Sequence, residues 1–160
     1  MKKKIIILAG LIMASLITWL GVTSISSLKE REHREEIQNK LSSIFESLGI
    51  QNDLVDGAIL LVYFNSECEH CQWEVREISE NLARFENIKL AFVSHEPEEQ
   101  ARAFLTQHKL ESFYLKVSAD RVMSSFDGGV PQILIYKKGL LERHYRGEVR
   151  IEVILEVLDD

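Results

Sequence analysis

The two cysteines of this 160-residue sequence, Cys68 and Cys71, stand three positions apart in the motif Cys-Glu-His-Cys. Cysteines at this spacing can close a disulfide with little backbone movement when they lie at the start of a helix. The free amides and the dipole of such a helix also stabilise a thiolate on the first sulfur. Because a thiolate is the attacking species in disulfide exchange, the motif predicts a redox-active disulfide that needs no cofactor.

The dipeptide between the cysteines is expected to tune the thiol pKa, and its two side chains act in opposite directions. A protonated His70 lowers the pKa of a neighbouring thiol, whereas the negative charge of Glu69 raises it. An inert surface disulfide and a metal site are the alternatives for this motif. Zinc would need two further ligands, and the other histidines are scattered along the sequence, so we predict no metal site.

The motif lies between two segments whose patterns predict a strand and a helix. Ala58–Phe64 is a continuous apolar run, which is typical of a strand buried on both faces. After the motif, apolar residues recur at helical spacing from Val75 to Phe85. A cysteine pair at the junction of a buried strand and a helix favours a redox motif over a metal site.

The rest of the sequence completes an α/β pattern of alternating strands and helices. After the first strand and helix, the predicted elements are a strand over Asn87–Ser94, a helix from Pro97 to about His108, a short strand over Phe113–Val117, a helix over Ala119–Phe126, strands over Gln132–Tyr136 and Leu140–Tyr145, and a helix over Val149–Leu158. Lys137-Lys138-Gly139 marks a hairpin turn between the last two strands. This order predicts a central mixed sheet with helices on both faces.

Residues 1–28 read as a membrane segment. Three lysines are followed by 24 residues without charge from Ile5 to Leu28, and about 20 apolar residues span a bilayer. We predict an uncleaved N-terminal transmembrane helix; a cleaved signal and a buried helix are the alternatives. The lysines favour a cytoplasmic N-terminus. This orientation predicts a single-pass protein of the cytoplasmic membrane, with its domain facing the periplasm or the cell exterior.

The remaining chain divides into a stalk and a domain. Residues 29–56 form the predicted amphipathic helical stalk, with apolar positions from Ile37 to Leu48, and residues 57–160 form the domain. The chain has 19 Lys and Arg against 25 Asp and Glu; three of the lysines precede residue 29, so the rest carries a net charge of −9. Such an acidic chain is expected to repel nucleic acid.

Val130-Pro131 is the second informative motif. Proline has no backbone N–H to donate to a sheet, so a proline directly before the predicted strand Gln132–Tyr136 stands at the strand's start. With this feature and the cysteine motif, residues 57–158 resemble the thioredoxin-like superfamily. The uncharged N-terminal stretch and the sequence FNSECEHC are most similar to its membrane-anchored TlpA/ResA-type, redoxin-like branch.

The resemblance implies that Cys68 attacks, that Cys71 resolves, and that Val130 and a cis Pro131 line the substrate groove. It also implies that protein thiols and disulfides are the substrates. For a reductase outside the cytoplasm, an integral-membrane protein is the natural electron donor.

The sequence departs from the thioredoxin pattern at one position that matters for proton transfer. Thioredoxins carry a buried Asp six residues before the first cysteine, and this chain has Val62 there. Proton transfer from Cys71 must then use another group or water. A redox-sensing or disulfide-stapled binding module without turnover is the main alternative function, and a metal chaperone is a further one.

Overall fold

A four-stranded mixed sheet organises the domain. The structure is a computed structural model, and it describes residues 13, 18–19, 25, 27–42, 45–46, 57–126 and 128–159. The strands are β1 (Ala58–Tyr63), β2 (Ile88–Val93), β3 (Gln132–Lys137) and β4 (Leu140–Arg146). Their spatial order is β2-β1-β3-β4, with β1 parallel to β2 and the other pairs antiparallel. This topology confirms the predicted α/β class with a mixed sheet.

Three helices cover one face of the sheet, which we call the cysteine face. They are α1 (Glu69–Glu80), α2 (Glu98–Gln107) and α4 (Ile151–Asp159). Their apolar side chains pack with alternate residues of β1, such as Leu60 and Val62, and Cys71 belongs to the same core. Because alternate residues of a strand point to opposite faces, the predicted continuous apolar run supplies both faces at once.

The opposite face is covered by α3 (Ala119–Ser125) and by a helix upstream of the domain. Residues 37–42 and 45–46 are helical, and we call them the upstream segment. Its buried side chains Ile37, Leu41 and Phe45 pack with Leu61 and its neighbours on this face. The compact unit of the chain accordingly spans Ile37–Asp160, so the C-terminal part of the predicted stalk packs with the domain.

Two local predictions are wrong. Phe113–Val117 is not a strand: Glu111–Phe113 is a 3-10 turn, and Tyr114 makes a single parallel bridge to Phe92. The helix after the motif ends at Glu80, and a separate 3-10 turn follows over Leu82–Phe85. Apolar spacing alone does not distinguish these short turns from continued helix or strand, since both bury the same residues.

The hairpin between β3 and β4 turns through backbone with positive φ. Lys138 has φ 50° and Gly139 has φ 81°. Two such residues in a row fit a turn whose twist matches the flanking strands, and glycine is the residue that adopts this conformation at least cost. The predicted turn at Lys137-Lys138-Gly139 is therefore confirmed.

The predicted transmembrane helix falls mostly outside the described residues. Of residues 1–28 only 13, 18–19, 25 and 27–28 are described, all of them helical, and Met1–Glu36 forms a unit separate from the domain. Within the described parts of the chain, no helix has both the length and the apolar character needed to span a membrane.

Candidate active site

The cysteine pair begins helix α1 at the carboxyl end of strand β1. Cys68 is the N-cap residue, and its sulfur accepts a hydrogen bond of 3.4 Å from the backbone amide of Cys71. The turn before it closes through a backbone hydrogen bond of 3.3 Å from Cys68 to Asn65. The first sulfur therefore sits where the unpaired amides of the helix point, as the sequence predicts. Both cysteines are free thiols.

The two thiols differ in their exposure. Cys68 is half-buried, whereas Cys71 is fully buried in the core of the cysteine face. Burial raises the pKa of the Cys71 thiol well above its usual range, and the Cys68 side chain and the charge of Glu96 raise it further. Cys71 is therefore held as a neutral thiol while Cys68 is within reach of an incoming disulfide.

Val130 and Pro131 lie directly beside the first cysteine. The peptide bond between them is cis, and the Cys68 thiol donates a 3.6 Å hydrogen bond to the Val130 carbonyl. The Pro131 carbonyl accepts a 2.8 Å hydrogen bond from the Gly147 amide, which fixes the loop against the end of β4. The structure thus brings Val130-Pro131 into direct contact with Cys68.

The two residues between the cysteines face solvent. Glu69 is exposed in the first turn of α1. His70 is also exposed, and its Nδ1 lies 3.0 Å from a carboxylate oxygen of Glu148, in the loop after β4. His70 therefore has a partner that no local pattern reveals, since Glu148 is 78 positions away in the sequence.

Several solved structures have folds similar to this one. The sequence matches no protein-family model and no curated protein. A secreted Mycobacterium tuberculosis disulfide oxidoreductase homologous to E. coli DsbE superposes with a TM-score of 0.59 at 11% identity, over 68% of this chain and 84% of its own. StoA from Bacillus subtilis gives 0.52 at 18% identity, over 63% and 81%.

A third similar structure is a thioredoxin-family thiol:disulfide interchange protein from Chlorobium tepidum. It superposes with a TM-score of 0.59 at 10% identity, over 68% of this chain and 82% of its own. The fold is thioredoxin-like. At these identities the similarity establishes the fold alone, so the activity has to be argued from the site.

The thioredoxin-like domain holds Val62 at the buried position where thioredoxins carry an acid. Val62 is fully buried in the core of the cysteine face, as the sequence predicts. It offers no group that could take a proton from Cys71. Apart from the exposed acids next to Cys68, the acidic groups of this region are Glu74, which is buried on α1, and Glu96, which is hydrogen-bonded to Ser66 from the loop after β2.

Glu74 is a residue of the site region that the sequence analysis missed. It is fully buried, and its Oε2 accepts a 2.8 Å hydrogen bond from the Val149 amide, while Oε1 has no partner. Burial raises its pKa to about 7, against the lowering effect of the Val149 hydrogen bond. The only signal in the sequence is its spacing: Glu74 follows the buried Cys71 by three residues, and helical residues three apart lie on the same face.

Two of the scattered histidines bond to side chains that are not metal ligands. His95 bonds to the Tyr63 hydroxyl at 2.8 Å, and His144 bonds to Gln132 at 2.9 Å. Across the described ranges, no group of three or more His, Cys, Asp or Glu side chains is arranged to hold a metal ion.

Proposed function

We propose that this protein is a thiol–disulfide oxidoreductase that exchanges electrons with protein disulfides through Cys68 and Cys71. The observation that carries the proposal is the asymmetry of the pair. One thiol is accessible at the N-terminus of α1 beside Val130-Pro131, and the other is buried one turn below it as a neutral thiol. Exchange through a mixed disulfide needs one attacking and one resolving sulfur, and this geometry provides both.

In the proposed cycle, the Cys68 thiolate attacks a substrate disulfide and forms a mixed disulfide with one of its sulfurs. The other substrate sulfur leaves as a thiolate and takes a proton from water. Cys71 then loses its proton and attacks the Cys68 sulfur, which releases the second substrate thiol. The substrate gains two electrons and the cysteine pair becomes a disulfide; the same steps in reverse oxidise a substrate dithiol.

Trapping variants test this division of roles. In full-length Cys71→Ser the attack by Cys68 survives and the resolving step is lost. The variant should therefore accumulate mixed disulfides with client proteins, and dithiothreitol should reduce them. Cys68→Ser is the matched control, because it makes the same sulfur-to-oxygen replacement at the other cysteine of the motif. It should trap nothing. Both variants should lose turnover in an insulin-reduction assay.

The reverse result, trapping by Cys68→Ser alone, would show that Cys71 attacks and Cys68 resolves. If neither variant traps a client and the wild-type protein catalyses no exchange, the protein is a redox-sensing or disulfide-stapled binding module instead.

We further propose that the domain works outside the cytoplasm on a single-pass membrane anchor. The lysines at positions 2–4 and the uncharged stretch after them support this location. One similar fold belongs to a protein described as secreted, and stable disulfides belong to oxidising compartments. Electrons for a reductase there would have to come through the membrane, so an integral-membrane donor is the proposed partner.

Fractionation tests the anchor. Full-length protein should remain in membranes after a carbonate wash, and protease added outside the cytoplasmic membrane should digest the domain. Release of a shortened soluble form would show that the segment is a cleaved signal. Protection of the domain from the protease in intact cells would contradict the orientation.

A further inference from the structure

The loop before β3, residues 129–131, is bonded at each of its three carbonyl groups, and we call it the carbonyl loop. The first carbonyl, of Gly129, accepts a 2.9 Å hydrogen bond from the side-chain amide of Gln132. The second accepts the Cys68 thiol at 3.6 Å, and the third accepts the Gly147 amide at 2.8 Å. The loop is therefore held by a side chain of β3, by the first cysteine and by the segment after β4.

Gln132, the first residue of β3, is a fully buried amide with partners at both ends. A carbonyl can only accept hydrogen bonds, so the amide nitrogen faces Gly129 and the amide oxygen faces Nε2 of His144 at 2.9 Å. That ring nitrogen must then carry the hydrogen, because the amide oxygen cannot donate. A buried amide is costly unless it is hydrogen-bonded, so the Gln132 side chain stays where both bonds are made.

Two exposed glycines, Gly128 and Gly129, stand at the start of the carbonyl loop. Gly128 has φ 93°, a conformation that glycine adopts at least cost. Glycine loses more backbone freedom on ordering than any other residue, so this end of the loop gains most from a fixed hydrogen bond. The bond from Gln132 to Gly129 is made at this end.

A chain that is bonded to Cys68 must lie against the carbonyl loop. The Val130 carbonyl oxygen is 3.6 Å from the Cys68 sulfur, which is the distance of a direct contact. In a mixed disulfide, the residues on either side of the substrate cysteine therefore pack beside Val130. A loop that is already held in one conformation binds such a chain more tightly, because less ordering has to take place on binding.

We propose that Gln132 is a positioning residue for polypeptide substrates: held by His144, it fixes the carbonyl loop against which a chain bonded to Cys68 lies. This inference rests on the proposed function, and it names two residues behind the loop that favour polypeptide disulfides over small ones. A small disulfide reaches the Cys68 sulfur without a chain to place on the loop, so its reaction does not depend on Gln132.

Two probes with the same disulfide test this division. Both carry a cysteine joined to 5-thio-2-nitrobenzoate; one is N-acetylcysteine amide, and the other is an alanine-rich peptide with the cysteine at its centre. Attack by Cys68 of the reduced full-length protein on the cysteine sulfur forms a mixed disulfide and releases the coloured thiolate with both electrons of the broken bond. Stopped-flow absorbance gives a rate constant for each probe. The ratio of the two, peptide over single residue, measures the contribution of the chain.

Gln132→Met removes both hydrogen bonds while keeping a side chain of similar length. It should lower the ratio about three- to tenfold, the effect of losing one hydrogen bond, and leave the rate with the single-residue probe unchanged. Leu134→Val is the matched control, because it shortens a fully buried side chain of the same strand. It should lower the melting temperature without changing the ratio.

Three results would overturn the inference. They are a wild-type ratio of one, a Gln132→Met ratio equal to that of the wild type, and an equal loss of rate with both probes. A wild-type protein that reacts with neither probe faster than glutathione does would instead overturn the proposed function itself.

Variants of His144 cover the case in which Gln132→Met does not fold. His144→Leu removes the donor to the Gln132 oxygen and should lower the ratio in the same direction. His144→Gln keeps a side-chain donor at that position and should restore it. Loss of the ratio in both variants, or in neither, would overturn the role of the hydrogen-bonded pair.

Discussion

The two faces of the sheet differ in the polar groups that they bury. The opposite face holds apolar side chains from the upstream segment and α3, and the buried Tyr136 hydroxyl there has no hydrogen-bond partner. The cysteine face holds a comparable apolar core, but it also buries the Cys71 thiol and the Glu74 carboxyl near the start of α1. The opposite face thus buries tyrosine hydroxyls among its apolar side chains, whereas the cysteine face buries a thiol and a carboxyl.

This difference indicates that the cysteine face carries groups that lower stability and can serve a reaction. A buried carboxyl with an unpartnered oxygen lowers stability, because its charged form loses hydration that nothing replaces. Proteins retain such groups mainly at functional sites, where perturbed pKa values are useful. We therefore expect substitutions in the apolar core of the opposite face to change stability alone, and substitutions on the cysteine face to change chemistry and pH dependence.

The largest stability effect is expected from Phe45→Ala on the opposite face. Phe45 is almost fully buried, and its ring meets the Tyr136 ring edge-on at a centroid distance of 5.1 Å. Removing a buried Phe side chain costs about 3–5 kcal/mol of unfolding free energy. Denaturant unfolding should show this loss, while the rate of thiol exchange in the folded protein should not change.

Leu140→Ala is the control for Phe45→Ala, since Leu140 is an apolar residue whose side chain is 62% exposed. It should change the unfolding free energy by no more than about 0.5 kcal/mol. Equal effects of the two substitutions would mean that the upstream segment does not pack on the domain in solution.

Glu74→Gln on the cysteine face should change how stability depends on pH. The pKa of Glu74 is about 7 in the folded protein, mainly through burial, and near 4.3 in an unfolded chain. The folded state therefore binds this proton more tightly, and the contribution of Glu74 to stability falls as pH rises from about 4.5 to about 7 and is constant above. The fall is at most roughly 4 kcal/mol.

Denaturant unfolding between pH 4.5 and pH 8 measures this effect. Relative to the wild type, Glu74→Gln should gain stability as pH rises through this interval, because the amide side chain never ionises yet can still accept from the Val149 amide. Glu80→Gln, at an exposed position of the same helix, should run parallel to the wild type. Parallel curves for Glu74→Gln as well would place the Glu74 carboxyl in contact with water.

The smallest effect is expected from the exposed pair of His70 and Glu148. Their side chains are 69% and 48% exposed, so solvent screens the interaction strongly. Pairs of this kind contribute about 0–1 kcal/mol. Glu148→Gln should therefore lower the melting temperature by no more than about 4 °C, as differential scanning calorimetry would show. A larger loss would make this contact a structural link between α1 and the loop after β4.

The sequence allowed prediction of those parts of the site that lie close together in the chain. The Cys68 and Cys71 motif, the apolar run of β1 and the proline before β3 each have a local signature, and the structure brings them together. The cis bond at Val130-Pro131 agrees with what the family resemblance implied.

The contacts between distant segments could not be predicted in the same way. Glu96 reaches Ser66 across 30 positions, and Glu148 reaches His70 across 78. Charged residues on a helix normally face water, so the burial of Glu74 follows only from the loop that packs over it. Hydrophobic periodicity reports which face is apolar and carries no information on which polar groups meet across the fold.

The way the sheet ends bears on how the protein behaves at high local concentration. At β4 the register shifts so that Glu142 is an extra residue opposite β3, and the Gln38 side chain accepts from the Leu141 amide and donates to the Gly139 carbonyl. At the other edge the Leu115 amide donates to the Phe92 carbonyl of β2. Bulged, charged and occupied edges resist pairing with strands of other molecules. Copies held at high local concentration are therefore not expected to aggregate through their sheets.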